Sequence, residues 1–237
     1  MKVLAIESSA ITASVAIAEE NRLICEYTSN YKKTHSQTLM PMIEEITNMV
    51  ELDLDELDLI AVANGPGSFT GLRIGVATAK GLAHTLDIPI ISVPTLDALA
   101  YNIGFTDKLI CPLMDARRNQ VYTALYSYKN NKFNKIQEDI AVPIEEIITK
   151  IKELGKQVIF LGDGISPNLE YIQNNLTKDE YVLAPINNNI QRGASVAALG
   201  LIYAKEGKSE SYMKCKPVYL RKSQAEREYE RKHNKCI

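Results

Sequence analysis

A glycine-rich stretch around residue 65 carries the residue types best suited to hold a ligand through the backbone. Asn64-Gly65-Pro66-Gly67 is the strongest group of turn formers in the chain, and Ser68 or Thr70 can cap a following helix. Free N–H groups at such a helix start could bind a phosphate. The stretch has neither the Gly-Lys-Ser/Thr of a P-loop nor the Gly-x-Gly-x-x-Gly of a dinucleotide site. A tight strand-to-helix turn is the favoured interpretation, and phosphate binding is the alternative.

The histidines and cysteines show no spacing typical of a metal or catalytic site. No His-Glu-x-x-His, Gly-x-Ser-x-Gly or Cys-x-x-Cys sequence occurs. We therefore expect no metal, no cofactor and no disulfide framework, with reduced thiols. The residues concerned are His35, His84, His233, Cys25, Cys111, Cys215 and Cys236.

The charge balance limits the classes of partner. The 27 basic and 29 acidic residues give a net charge of −2, which argues against a free-standing nucleic-acid-binding protein.

No apolar run reaches the ~18–20 residues of a membrane span. The stretch from Met1 to Glu7 reaches an acidic residue after four apolar ones, which predicts a strand and not a signal peptide. We expect a cytoplasmic protein that does not contact membranes.

Several elements must position the glycine-rich stretch. Strands predicted at residues 2–7, 13–19 and 23–29 form an antiparallel meander, and another strand at 58–64 leads into the stretch. Further strands are predicted at 88–93, 157–161 and 181–184. Helices are predicted at 95–102, 143–154, 166–176 and 194–205, with Thr95 and Ser195 as capping residues. Residues 207–222 are predicted to be irregular.

A helix with one apolar stripe is predicted between residues 34 and 50. Thr34 and Gln37 fit a capping box, but Pro41 would then kink the helix unless the helix starts at Thr38. The stripe could face the core of this chain or a partner protein, since methionine adapts to irregular contacts. Its residues are Leu39, Met42, Ile43 and Ile46.

The helix after the glycine-rich stretch carries small residues at every fourth position. They are Gly71, Gly75, Ala79 and Ala83. This spacing places them on one ridge of the helix. Because a helix glycine costs roughly 0.5–1 kcal/mol relative to alanine, the ridge indicates close approach of another helix.

The second half of the chain repeats the pattern of the first. Residues 109–114 predict an apolar strand that ends at Asp115, and a second strand follows at 121–128, as Ala13 follows Glu7. Aligning Glu7 with Asp115 suggests two similar halves, although chance similarity of two hairpins is an alternative. The alternation of strands and helices predicts an α/β protein with mixed sheets flanked by helices.

Six motifs resemble the TsaB family, and they extend from Lys2 to about Arg221. They are residues 4–9 (LAIESS) with Ser14-Val15-Ala16, 35–41 (HSQTLMP), 65–75 (GPGSFTGLRIG), 79–83 (AKGLA), 114–118 (MDARR) and 217–221 (PVYLR). Glu7 stands where the family more often has Asp. The resemblance implies the two-lobed actin-like, Hsp70-like ATPase (ASKHA) fold. It divides the chain into an N-terminal lobe with the partner-binding helices (1–104), a smaller C-terminal lobe (105–192), a C-terminal helix and tail (193–222) and a charged end (223–237). The C-terminal helix is expected to pack back on the N-terminal lobe.

The resemblance also implies a subunit without catalytic residues. TsaB is a degenerate relative of TsaD, and Thr95 and Leu99 occupy the positions of the two metal-binding histidines of TsaD. Imidazole is a good metal ligand, whereas threonine is a poor one and leucine is none. Glu7, Ser8, Ser9 and Asp115 lie in vestigial phosphate hairpins that lack the expected glycine, so we expect no tight ATP binding.

The family's partner surface is implied to lie on the two helices described above. They would pack against TsaD, or against a second copy of this chain when TsaD is absent. TsaE would be reached through the complex, and tRNA only via the complex. The expected function is a non-catalytic scaffold for threonylcarbamoyl transfer to adenosine 37 of tRNA; the alternatives are a peptidase acting on TsaD and an independent actin-like ATPase. The interface residues are Leu39, Met42, Ile43, Ile46, Gly71, Arg73, Ile74, Gly75, Ala79 and Lys80.

Overall fold

The computed structural model describes residues 1–221 and begins with a five-stranded mixed sheet. Its strands are β1 (Lys2–Glu7), β2 (Ala13–Glu19), β3 (Arg22–Ser29), β4 (Leu59–Gly65) and β5 (Ile90–Pro94). They lie in the order β3-β2-β1-β4-β5. The predicted meander is confirmed, because β2 runs antiparallel to both β1 and β3, while β4 runs parallel to β1.

A second five-stranded sheet has the same topology. Its strands are β6 (Leu109–Asp115), β7 (Val121–Lys129), β8 (Lys132–Val142), β9 (Val158–Leu161) and β10 (Tyr181–Leu183). They lie in the order β10-β9-β6-β7-β8. Read in the opposite direction, this is the order of the first sheet with each strand replaced by the strand five positions later in the chain. The internal repeat is therefore confirmed, and Glu7 and Asp115 each end the central strand of their sheet.

Within residues 1–221, six α-helices complete the two repeats. They are α1 (His35–Met49), α2 (Phe69–Leu86), α3 (Thr95–Tyr101), α4 (Ile144–Leu154), α5 (Ile165–Asn175) and α6 (Gly193–Lys205). Each half runs βββαβαβα, with a short 3₁₀ helix at Leu54–Glu56 added in the first half. Among the described residues, no helix is long and apolar enough to cross a membrane.

Both faces of each sheet are covered at its centre, so the central strands β1, β4 and β6 are apolar on both sides. In β1, Leu4 and Ile6 pack toward α1 and α2, whereas Val3 and Ala5 pack toward α6. The second sheet places α4 and α5 on one face and α3 on the other. The layers are thus α1 and α2, the first sheet, α6 with α3, the second sheet, and α4 with α5.

The predicted helix starts are partly corrected. Helix α1 begins at His35, so the alternative start at Thr38 is wrong, and Pro41 lies inside the helix. The Thr34 hydroxyl makes no cap; only the Thr34 carbonyl accepts, from the Gln37 N–H at 2.9 Å. Ser68 does cap α2, because its Oγ accepts from the Gly71 N–H at 3.3 Å.

Two other predicted caps are wrong because the hydroxyls bind elsewhere. Thr95 Oγ1 accepts from the Gly65 N–H at 3.1 Å, so it joins α3 to the end of β4. Ser195 Oγ donates to Asn102 Oδ1 at 2.6 Å, so it joins α6 to the residue after α3.

Residues 207–221, here called the C-terminal segment, return to the first sheet after α6. Glu210 forms an antiparallel bridge with Ile90 of β5, with N···O distances of 2.9 Å in both directions. Beyond it the segment is irregular, as predicted, and Cys215 is buried in the core beside α2. The charged end predicted for residues 223–237 lies outside the described residues.

Candidate functional site

The ridge of small residues on α2 faces this chain's own first sheet. A Cβ at Gly71 would overlap the Ser8 carbonyl oxygen, and a Cβ at Gly75 would overlap Ser8 Oγ. Ser8 Oγ in turn donates to the Gly71 carbonyl at 3.0 Å. Ala79 and Ala83 are fully buried. The ridge therefore lets α2 approach the end of β1, and its assignment to a partner surface is corrected.

The apolar stripe of α1 is likewise covered by the chain itself. Leu39, Met42, Ile43 and Ile46 are between 1% and 5% exposed and belong to the core between α1, α2 and the first sheet. Of the two interpretations open at the sequence level, the internal core is correct for these four side chains. Ile74 is partly buried against the same core.

The outward faces of α1 and α2 offer a different set of residues. On α2, Thr70, Arg73, Ala77, Gly81 and His84 are exposed at helical spacing. A Cβ added at Gly81 would meet nothing within 4 Å, so the small residues Ala77 and Gly81 leave the middle of this face flat. The four-residue spacing of this pair is visible in the sequence, but the predicted interface did not include it.

Helix α1 extends this outer face. Its exposed residues are Ser36, Gln37, Met40, Pro41, Glu44, Glu45, Asn48 and Met49. Met40 is 49% and Met49 is 67% exposed, whereas Met42 is buried. The helix therefore presents two accessible methionines on its solvent side.

Arg73 and Lys80, both assigned to the partner surface, contact the C-terminal segment. The Arg73 guanidinium lies 3.9 Å from the centre of the Phe69 ring, and Phe69 stacks on Tyr219 at 4.2 Å. Arg73 Nε donates to the Tyr219 hydroxyl at 3.1 Å, and Lys80 Nζ donates to the Cys215 carbonyl at 3.3 Å. One edge of α2 is therefore occupied by the chain's own tail.

The first strand-end hairpin buries its carboxyl group. Glu7 is fully buried, its Oε1 accepts from the Ser9 N–H at 2.6 Å, and its Oε2 has no partner. Burial without a cation nearby raises the pKa of Glu7 to about 7. The Ser9 carbonyl accepts from the Ser68 N–H at 2.6 Å, and the Ala10 carbonyl lies 2.7 Å from His35 Nε2, which must donate.

The second hairpin repeats this turn with its carboxyl exposed. Asp115 Oδ1 accepts from the Arg117 N–H at 2.7 Å, as Glu7 accepts from the residue two positions later. Arg117, Arg118 and Asn119 are all left-handed, with φ of 59°, 58° and 57°. The Arg221 guanidinium donates to the carbonyls of Ala116 at 2.7 Å and Arg117 at 3.3 Å.

Thr95 and Leu99, which the resemblance aligns with metal-binding histidines, do not fit a metal here. The Thr95 hydroxyl is used by the Gly65 N–H, and Leu99 is buried and packs near Gly162. Within residues 1–221, no three His, Cys, Asp or Glu side chains gather as a metal site. Helix α3 therefore lacks the side chains that would hold a metal at these two positions.

Asp97, between those two positions, anchors a buried polar network that the sequence did not predict. Its Oδ1 accepts from the Tyr126 hydroxyl and from Lys135 Nζ, both at 2.7 Å, and its Oδ2 accepts from the Tyr203 hydroxyl at 2.9 Å. Lys135 also pairs with Asp139 at 2.9 Å. The network joins α3 and α6 to the second sheet.

Ser68 is not positioned as a nucleophile. Its hydroxyl caps α2, and the ring of His35 is turned to the Ala10 carbonyl. Within residues 1–221 no histidine is hydrogen-bonded to a serine hydroxyl, so the arrangement provides no activated serine.

The fold matches solved structures of the actin-like ATPase group. An uncharacterized Pseudomonas aeruginosa protein with similarity to peptidase YEAZ superposes with a TM-score of 0.80 at 24% identity, covering 93% of this chain and 99% of that one. The activator of the 2-hydroxyisocaproyl-CoA dehydratase from Clostridium difficile, with bound ADPNP, has a TM-score of 0.50 at 11% identity and covers 88% and 97%. The predicted two-lobed ASKHA fold is confirmed.

Sequence comparisons are more specific. A family model described as TsaD: tRNA N6-adenosine threonylcarbamoyltransferase matches residues 22–229. The tRNA threonylcarbamoyladenosine biosynthesis protein TsaB of Bacillus subtilis is 38% identical over 226 residues, covering 95% of this chain and 96% of the relative. TsaB of Escherichia coli K12 is 29% identical over 232 residues, with coverage of 95% and 96%. The chain belongs to the TsaB family of tRNA threonylcarbamoyladenosine biosynthesis proteins.

Proposed function

We propose that the chain is a non-catalytic scaffold subunit that binds TsaD and supports transfer of the threonylcarbamoyl group to adenosine 37 of tRNA. The observation that carries this proposal is the flat outer face of α2, where Ala77 and Gly81 are exposed and a Cβ at Gly81 meets no other atom. A helix from another protein can approach such a face closely, because no large side chain stands in the way.

The positions considered for a metal, a nucleophile and a phosphate all serve packing or hydrogen bonding within the chain, which supports a binding role. Thr95 and Leu99 are used for packing and hydrogen bonding in α3, and Ser68 is used as a helix cap. At the first hairpin, the Ser9 N–H is held by Glu7, so this donor does not face a phosphate. No described group favours peptidase or independent ATPase chemistry.

The proposed interface consists of outward-facing residues of α1 and α2 and not of the buried ones. It comprises Met40, Pro41 and Glu44 of α1 with Ala77 and Gly81 of α2. The same face would pair two copies of the chain symmetrically when TsaD is absent. TsaE and tRNA would be engaged through the assembled complex, which suits the net charge of −2.

The test is light scattering on a sizing column, with the chain alone and mixed with TsaD from the same source. We expect Gly81→Leu to abolish both the self-pair and the TsaD complex, because the leucine fills the open face. Gly104→Leu is the matched control, since a Cβ at Gly104 also meets nothing within 4 Å and the residue lies between α3 and β6, outside both helices. A Gly81→Leu chain that still forms a one-to-one complex with TsaD would refute the interface.

A further inference from the structure

Three motifs singled out in the sequence meet at one place in the fold. They are the glycine-rich stretch at residues 65–75, the hairpin at 114–118 and residues 217–221 of the C-terminal segment. The first belongs to the first sheet and its helix α2, and the second belongs to the second sheet. The C-terminal segment contacts both, so it is the part of the chain that connects them at this edge.

The attachment of the segment to the first sheet is extensive. Cys215 is 1% exposed, and its Sγ lies 3.4 Å from Ser92 Oγ of β5. The Val218 N–H donates to the Asn64 carbonyl at 2.7 Å. Gly65 has a φ of 126°, and a Cβ there would overlap the Val218 carbonyl oxygen. Only glycine allows the segment to lie this close to the end of β4.

Within residues 207–221, the hydrogen bonds to the second sheet come from one side chain. Arg221 donates to two carbonyls of the β6–β7 hairpin, those of Ala116 and Arg117. The left-handed backbone from Arg117 to Asn119 is a conformation that costs energy for residues other than glycine. A charged donor shared by two carbonyls stabilises a turn of this kind.

We propose that the C-terminal segment couples the two lobes mechanically, with Arg221 as the positioning residue that holds the β6–β7 hairpin against the α2 edge of the first lobe. The coupling needs no ligand between the lobes. It is separate from the Asp97 network, which joins the lobes through α3 and α6. Weakening the contacts at either end of the segment should therefore increase amide exchange at the other end.

The experiment is amide hydrogen exchange on the full-length chain, read at both ends of the segment. The reporters are Ala116 and Gln120, whose N–H groups donate within the hairpin, and Val218 at the first sheet. In Arg221→Ala we expect about tenfold or faster exchange at these reporters, because a charged hydrogen-bond donor is lost. Arg221→Lys should be intermediate, since lysine can still donate to a carbonyl.

The decisive variant changes the opposite end. Tyr219→Ala removes the stack on Phe69 and the bond from Arg73, both of which lie on α2. We expect it to accelerate exchange at Gln120 several-fold, although the interactions it removes are not made to the hairpin. Arg22→Ala is the matched control and should change nothing at the reporters. Arg22 is exposed, and within residues 1–221 its guanidinium pairs with Glu19.

Two results would overturn the proposal. In one, Tyr219→Ala leaves the hairpin at the wild-type exchange rate, so the two ends are independent. In the other, Arg221→Ala accelerates the amides of α4 as much as those of the hairpin, so Arg221 acts on global stability and not on this link. The measurement uses the chain alone, and its outcome is separate from TsaD binding.

Discussion

The buried carboxyl of Glu7 makes the stability of this protein depend on pH in a direction opposite to that of a salt-bridged acid. Its pKa is raised from 4.5 to about 7 because burial disfavours the charged form. The folded state thus binds this proton more tightly than the unfolded chain does. With respect to this group, stability is greatest below about pH 4.5, falls as the pH rises to about 7 and is constant above that.

The size of the effect follows from the pKa difference. A shift of about 2.5 pH units at about 1.4 kcal/mol each corresponds to roughly 3 kcal/mol in the free energy of unfolding. Glu7→Gln cannot ionise, and its amide oxygen can still accept from the Ser9 N–H. The variant should therefore gain ~3 kcal/mol relative to the wild type between pH 4.5 and pH 8.

Urea unfolding of both proteins at four pH values across this range measures the difference directly. Asp115→Asn is the matched control, because Asp115 occupies the equivalent strand end but is exposed. Comparison of the two variants shows whether the effect requires a carboxyl group that is buried at this strand end. The assignment of Glu7 as a buried acid without a cation would be refuted if the difference in the free energy of unfolding between Glu7→Gln and the wild type did not change with pH.

The two kinds of glycine in α2 should respond oppositely to substitution. Gly75→Leu should destabilise the fold by about 3 kcal/mol, since its Cβ overlaps Ser8, and a wild-type melting temperature would contradict this. Gly81→Ala should instead stabilise the isolated chain by about 0.5–1 kcal/mol, measured by urea unfolding, because the site is open and helical. Asp97→Ala should cost ~3–5 kcal/mol in the same assay, since Lys135 and two tyrosine hydroxyls lose an acceptor, and a loss below ~1 kcal/mol would show that the network is dispensable.

The sequence predicted most elements and the repeat, but not what covers each helix face. Helical periodicity identified Gly71, Gly75 and Ala79 as one ridge, yet periodicity states only which residues share a face. Whether a sheet of the same chain or another protein lies on that face depends on long-range packing. The exposed pair Ala77 and Gly81 shows the same spacing, so nothing local distinguishes the two.

Two further misses have different physical causes. Strand β8 was not predicted, because polar side chains and two register shifts in its pairing with β7 interrupt the apolar alternation. The Asp97 network was not predicted because Tyr126, Lys135 and Tyr203 are 29 to 106 residues away from Asp97 in the chain. Hydrogen bonds and ion pairs across such separations cannot be recognised from a local sequence pattern.

The exchange of the last helix between the two repeats has a consequence for synthesis on the ribosome. Helix α3 ends the first repeat but packs on the second sheet, and α6 ends the second repeat but covers Val3, Ala5 and Ala16 of the first sheet. All strands of the first sheet have been synthesised once Pro94 has left the ribosome. One apolar face of that sheet is covered only after α6, which ends at Lys205, has also been synthesised. A nascent chain stalled between these points exposes that face to other nascent chains or to chaperones.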